Sequence, residues 1–92
     1  MANVVITMKI MPESIEEDLN VVQSAAIEKI IAFAGKTETK TLQEPIAFGL
    51  NALKIIFVMD EAKGSTDELE KEISCINGVN SVEVSDVRRA IG

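Results

Sequence analysis

The sequence predicts a single α+β domain over residues 1–92, a ferredoxin-like sandwich with the element order β-α-β-β-α-β. An apolar period of two, typical of strands, changes twice to apolar residues at steps of three and four, typical of helices. The two halves are also alike, since each runs from an apolar strand through a Ser-x-x-Glu sequence and a helix to a more polar strand. Right-handed crossovers then place strands 1 and 3 in the middle of a four-stranded antiparallel sheet of order 4-1-3-2, with both helices on one face.

The first strand and helix are predicted from their apolar spacing. Residues Ala2 to Met11 alternate, and Pro12 ends the strand because proline has no N–H to donate. Ser14 and Glu17 fit a capping box at the start of the first helix. Gly35 is placed to end that helix. The predicted inner face of the strand consists of Val4, Ile6, Met8 and Ile10, and the stripe of the helix consists of Ile15, Leu19, Val22, Ala26, Ile30 and Phe33.

The second and third strands differ in polarity. The stretch from Lys36 to Glu44 is rich in threonine and is predicted to form an edge strand, protected from further pairing by Lys36 and Lys40. The stretch from Leu50 to Met59 is predicted to form a central strand, because both of its faces are apolar. Its inner face is predicted to consist of Leu53, Ile55, Phe57 and Met59, and its other face of Ile56 and Val58.

The second half repeats the pattern of the first. A turn at Lys63-Gly64 precedes Ser65-Thr66-Asp67-Glu68, which fits a second capping box. The shorter helical stripe that follows consists of Leu69, Ile73 and Ile76. Asn77-Gly78 ends this helix, and the last strand is predicted from Val79 to Val87, with Val82 and Val84 on its inner face.

Composition narrows the possible functions. Nine basic and fifteen acidic residues give a net charge of −6, which argues against phosphate-backbone binding and suits a basic or mixed protein partner. RNA binding by such a fold would need aromatic side chains on the central strands, and Phe57 alone does not supply them. No apolar run approaches the ~20 residues of a membrane-spanning helix. No signal peptide is recognisable either, so the expected location is the cytoplasm.

The sequence offers little for catalysis or for metal and cofactor binding. Without histidine the commonest general base is missing, so we expect no enzymatic turnover. The lone Cys75 excludes an internal disulfide and a Cys-x-x-Cys metal site, and we expect it to be buried in the second helix. The acidic residues Glu13, Glu16, Glu17 and Asp18 are explained by helix capping and the helix dipole. We therefore predict no metal and no cofactor.

A short corner lies between the second and third strands. Pro45 fixes its own φ, and Gly49 permits a sharp turn, so Phe48 lies on a stiff segment between them. Large apolar residues are usually buried, which favours a core position for Phe48. Its place outside the alternation of the third strand favours instead an anchor for a partner. The pattern alone leaves both interpretations open.

Three separated segments carry a family resemblance. Pro45-Ile46-Ala47-Phe48-Gly49-Leu50-Asn51-Ala52-Leu53 resembles the hallmark segment of the elongation factor 1-beta family, archaeal type. Met11-Pro12-Glu13-Ser14 and Val84-Ser85-Asp86-Val87-Arg88-Arg89 resemble that family too, in the same order along the chain. The resemblance implies a ferredoxin-like exchange factor that promotes GDP release from elongation factor 1-alpha, the GTPase that delivers aminoacyl-tRNA to the ribosome.

The resemblance also implies two contact regions. Phe48, supported by Pro45 and Gly49, would dock in the second domain of the GTPase. The C-terminal end, with Asp86, Arg88 and Arg89, would lie against the nucleotide domain near its Mg²⁺ and phosphate site. Eukaryotic relatives have a lysine close to the C-terminus there, whereas residues 86–92 of this chain contain none. Arginine and lysine are not interchangeable, so the route of Mg²⁺ displacement is open. A solvated strand end is the alternative role of the two arginines.

A different class of function also fits the predicted fold. A regulatory or small-ligand-binding domain could dimerise through the sheet face that the helices leave open. Such a domain would have ligand groups at its strand–helix loops and would not depend on Phe48.

Overall fold

The computed structural model describes residues 3–35 and 38–89. Its order of strands and helices is the predicted one, and a short 3-10 turn lies on each side of the third strand. The elements are β1 (Asn3–Pro12), α1 (Leu19–Ala34), β2 (Thr39–Pro45), a turn at Ala47–Gly49, β3 (Asn51–Asp60), a turn at Glu61–Lys63, α2 (Asp67–Ser74) and β4 (Val79–Arg89). The predicted start of the second strand at Lys36 lies outside the described residues.

The four strands form one antiparallel sheet in the order β2-β3-β1-β4, which confirms the prediction. β1 and β3 are central because they carry the apolar residues, while the polar β2 forms one edge. Ile6 lies opposite Phe57, and Met8 lies opposite Ile55, so the predicted inner faces of the two strands coincide. Paired residues project to the same face of a sheet, and these apolar pairs therefore fix the register.

The core lies between one face of the sheet and the two helices. Its fully buried members include Phe57 and Met8 from the sheet, Ile30 from α1, and Leu69 and Ile73 from α2. Burying a side chain of this size contributes ~1.5–3 kcal/mol. Because residues from both helices pack on the same sheet residues, both helices cover one face, as predicted.

The predicted capping box at Ser14 is wrong. α1 begins four residues later than that box requires, and its N-cap is Asp18, whose carboxylate accepts a hydrogen bond from the Asn20 N–H at 2.9 Å. The Ser14 hydroxyl instead accepts from the Glu16 N–H at 3.3 Å, within a loop. Ile15 is consequently outside the helix and 67% exposed, and it is not part of the buried stripe. An acidic residue closer to the apolar run displaced the serine as the cap.

The second helix also begins differently from the prediction. Its N-cap is Thr66, which makes no side-chain bond to the backbone and instead donates its hydroxyl to Glu70 Oε2 at 3.1 Å. Ser65 accepts from the Asp67 N–H at 3.1 Å, so Glu68 closes no capping box. Cys75 is exposed, which corrects its expected burial. It follows Ile73 by two residues, or about 200° of helical rotation, and so lies on the outer side.

β4 contains a bulge where the spacing of its valines changes from two residues, Val82 to Val84, to three residues, Val84 to Val87. Thr7 lies opposite Asp86, whereas Met8 lies opposite Val84, so Ser85 is an extra residue in the ladder. The bulge places Val87 and Arg89 on the helix-covered face, after the predicted Val82 and Val84. Asp86 and Arg88 lie on the opposite face. The strand also continues to Arg89, two residues beyond the predicted end.

Candidate functional site

The corner between β2 and β3 is a tight connection. Its last strand pair is Pro45 with Asn51, and beyond it the Ile46 N–H donates to the Leu50 carbonyl at 2.8 Å. The Leu50 N–H donates back to the Ala47 carbonyl at 3.2 Å, which closes the 3-10 turn. These two bonds join the two ends of the loop to each other. The corner is therefore fixed before any partner binds.

Phe48 projects from the tip of this corner. Its side chain is 94% exposed, which excludes the core interpretation. Its backbone lies in the left-handed region, with φ 60° and ψ 31°, and Gly49 follows with φ 78°. Left-handed angles cost an ordinary L-residue ~1–2 kcal/mol. A large ring is thus held in solvent on a strained backbone, and strain of this kind is found preferentially at functional positions.

The second predicted region lies at the end of β4. Arg88 Nε lies 2.9 Å from Asp86 Oδ2, and Arg89 Nη2 lies 2.7 Å from Glu61 Oε1. All four side chains are largely exposed, so each ion pair contributes only ~0–1 kcal/mol to stability. The two arginines point to opposite faces of the sheet, because they are adjacent in a strand. Both are held near carboxylates that they could leave at little cost.

A shallow hollow of about 250 Å³ lies beside Arg89 on the helix-covered face. Its floor is apolar, and the turn before α2 forms its rim. The lining residues are Val4, Ile6, Met59, Glu61, Gly64, Ser65, Thr66 and Val87. Val87 reaches this floor only because of the bulge at Ser85.

The structure does not bring the two predicted regions together. Arg89 lies opposite Val4 at the start of β1, while the corner with Phe48 precedes Leu53, which lies opposite Ile10. Six residues along a strand span about 20 Å. Pro45, Phe48 and Gly49 therefore lie at one end of the sheet, and Arg88 and Arg89 lie at the other. Asp86 lies opposite Thr7, nearer the middle of β1.

The open face of the sheet carries charges across its centre. Lys9 and Lys54 lie directly opposite each other on the central strands, and Glu83 lies opposite Lys9 on β4. Lys54 Nζ lies 2.6 Å from Glu44 Oε2, and this hydrogen-bonded ion pair lowers the pKa of the Glu44 carboxyl. A second copy covering this face would have to desolvate these groups. The arrangement does not favour an apolar dimer interface there.

Across residues 3–35 and 38–89 there is no group of three or more carboxylate or thiol side chains arranged to hold a metal ion. Among the helices that the structure describes, none has the length and hydropathy needed to cross a bilayer.

Comparison with known proteins defines the class to which this corner and sheet belong. Residues 5–90 match the model of the EF-1 guanine nucleotide exchange domain family. The match covers almost the whole chain, including both ends of the sheet, and the chain belongs to this family. A role in nucleotide exchange during translation elongation follows from that membership.

Individual relatives agree with the family match. The chain is 44% identical over 89 residues to "Elongation factor 1-beta" of Methanothermobacter thermautotrophicus. The aligned residues cover 97% of this chain and 98% of that protein. It is 42% identical over 89 residues to the protein of the same name from Methanobrevibacter smithii, with the same coverage of both chains. The protein of that name from Methanococcoides burtonii is 34% identical over 91 residues, or 99% of this chain and 100% of that protein. These relatives are archaeal, and the predicted archaeal type is confirmed.

Proposed function

We propose that this protein promotes the release of GDP from elongation factor 1-alpha, so that GTP can rebind and aminoacyl-tRNA delivery can continue. The observation that carries the proposal is the exposed, left-handed Phe48 at a self-contained corner, in a chain of the exchange domain family. A phenylalanine in solvent gains free energy only when a partner covers it.

The exchange would proceed by linkage. A protein that binds the nucleotide-free GTPase more tightly than the loaded form must weaken nucleotide binding by the same factor. This mechanism needs no general base, metal or cofactor, which suits a chain without histidine. We therefore propose a binding protein of the cytoplasm that catalyses no covalent step.

The two ends of the sheet would have different tasks. Phe48, with its support from Pro45 and Gly49, would anchor the complex on the second domain of the GTPase, as the family resemblance implies. Asp86, Arg88 and Arg89 would lie against the nucleotide domain. The distance of about 20 Å along β1 between the two ends lets one rigid sheet contact two domains at once.

The arginines would act by exchanging partners. In the free protein Arg88 is paired with Asp86, and Arg89 with Glu61. Either guanidinium could turn to an anionic group near the nucleotide site, because an exposed ion pair is inexpensive to break. Neither arginine reproduces the compact ammonium of a lysine, so the contact would be planar and bidentate. Direct nucleic-acid or membrane binding is not expected, given the charge of −6.

The test is the release of labelled GDP from elongation factor 1-alpha of the same organism. Catalytic amounts of this protein should accelerate release, and Phe48→Ala should exchange poorly while remaining folded. Unchanged release at stoichiometric excess, together with no detectable complex, would overturn the proposal. The alternative of a dimerising regulatory domain predicts no dependence on Phe48, so the same variant separates the two functions.

A further inference from the structure

A second exposed apolar side chain lies next to the Phe48 corner. Ile15 is 67% exposed, and its Cγ2 lies 3.8 Å from the position that a Cβ on Gly49 would occupy. Gly49 is the residue immediately after Phe48. The loop that carries Ile15 and the corner that carries Phe48 therefore meet at one end of the sheet.

The loop of residues 13–18 is held in place by contacts away from its tip. The Glu13 N–H donates to the Gly78 carbonyl at 2.8 Å. The Glu17 side chain lies against Gly78, where an added Cβ would come within 2.6 Å of Oε1. The Asp18 carboxylate caps α1 at the other end of the loop. Ile15 therefore lies on a segment whose backbone is fixed, and its side chain is exposed to solvent.

We propose that Ile15 is a second anchor beside Phe48, and that the two side chains dock together on one apolar surface of the GTPase partner. This inference rests on the proposed function. The other large exposed apolar residues that the structure describes lie on helices or strands, as Val21 and Leu42 do. Ile15 and Phe48 instead come from two separate connecting segments that meet at one tip.

The charge around this tip specifies the partner surface further. Residues 13–18 contain four carboxylates and no basic side chain. Glu13, Glu16 and Asp18 are exposed, so the loop that carries Ile15 presents negative charge to solvent. An apolar surface with a basic rim complements this arrangement, since opposite charges at a rim accelerate association and exclude wrong partners.

The experiment measures the affinity of full-length variants for the nucleotide-free GTPase of the same organism. Ile15→Ala should weaken binding roughly 5- to 30-fold, as expected for truncation of a partly buried anchor. Val21→Ala is the matched control, because Val21 is 64% exposed on α1, and it should change binding by no more than about twofold. Ile15→Thr keeps the branch at Cβ and should also lose affinity. The urea midpoints of all variants should match the parent.

Two further measurements make the inference specific. Combining Ile15→Ala with Phe48→Ala should cost less than the product of the single losses, because side chains that share one pocket are coupled. Glu16→Gln should reduce the salt dependence of association. If the losses of affinity multiply, the two side chains bind separate surfaces and the shared-pocket part of the inference is wrong. If the salt dependence is unchanged in Glu16→Gln, the partner surface has no basic rim there and that part of the inference is wrong.

The inference and the proposed function fail in different ways. If the parent protein forms no complex, the proposed function is wrong and the inference falls with it. If the parent binds and Phe48→Ala weakens binding, but Ile15→Ala behaves like Val21→Ala, the exchange function stands and the second anchor does not exist.

Discussion

Replacing Phe48 with asparagine should make the protein more stable and a worse partner. The ring is 94% exposed, so its removal sacrifices almost no burial. The backbone at φ 60° and ψ 31° costs most residues ~1–2 kcal/mol, whereas asparagine adopts this region more readily. Recovering about half of that cost gives ~0.5–1 kcal/mol of added stability. For a domain of 92 residues this corresponds to a rise in Tm of roughly 2–8 °C.

The same substitution removes the proposed anchor. Loss of a central aromatic contact typically costs ~2–4 kcal/mol in binding, or roughly 30- to 700-fold in Kd. Urea or thermal unfolding measures the first effect, and titration of the nucleotide-free GTPase measures the second. Phe48→Ala is the control: it keeps a Cβ on the strained backbone, so its stability should stay within ~0.5 kcal/mol of the parent. A Phe48→Asn protein that is destabilised by more than ~1 kcal/mol, or that binds normally, would refute the reasoning.

Three further perturbations test the rest of the molecule. Arg88→Ala combined with Arg89→Ala should slow GDP release more than it weakens binding. If the double variant exchanges nucleotide normally, the two arginines are only the solvated end of a strand. Glu61→Gln should tighten the complex about two- to threefold in a titration, because Arg89 no longer has to leave an ion pair; weaker binding would mean that Glu61 positions Arg89. Gly78→Ala should cost ~1–2 kcal/mol in urea unfolding, since its φ is 93°. The same loss of stability should be measured when Gly78→Ala is made in a protein that already carries Glu17→Ala. If Gly78→Ala costs nothing in that protein, the loss comes from the clash with the Glu17 side chain and not from the backbone angle.

The sheet was predictable because the apolar residues of its central strands recur at every second position, which indicates the buried face. In β1 every second residue from Ile6 to Pro12 is buried, and β3 has the same alternation from Leu53 to Met59, although Ala52 next to Leu53 is buried as well. The pairing of these buried positions fixes the register of the two strands. The positions of the polar edge strands followed from right-handed crossovers. Once the two central strands were identified, few arrangements of the remaining elements were possible.

The helix starts and the last strand were less predictable for local reasons. Both Ser14 and Asp18 can cap a helix, and only the structure shows that Asp18 does so. The extra residue Ser85 left a trace in the sequence, because Val84 and Val87 are three residues apart whereas Val82 and Val84 are two apart, but the predicted inner face ended at Val84. The structure shows that this change in spacing places Val87 and Arg89 on the helix-covered face. The arginines were visible as candidates, but their ion pairs were not.

The corner shows the same limit at Phe48, the residue proposed as an anchor. Its proline and glycine predicted a turn, and both interpretations of Phe48 were compatible with that turn. The left-handed backbone of a phenylalanine cannot be inferred from residue preferences, because those preferences disfavour it. Ile15 was missed as a surface residue for a related reason: its spacing to Leu19 fits a helix that begins only after it.

The separation of the two ends predicts a distinct kinetic signature for each in the proposed exchange reaction. In the proposed function Arg88 and Arg89 would bind weakly by themselves, because both are exposed and already paired. Docking of Phe48 would convert their contact with the nucleotide domain into an intramolecular one, at an effective concentration of order millimolar. A variant without the anchor should then recover its exchange rate when its concentration is raised, because the arginines still act once the complex forms. A variant without the arginines should bind and saturate at a lower maximal rate. The concentration dependence of GDP release thus separates anchoring from action on the nucleotide site, and identical saturation curves for both variants would mean that the two ends do not divide these tasks.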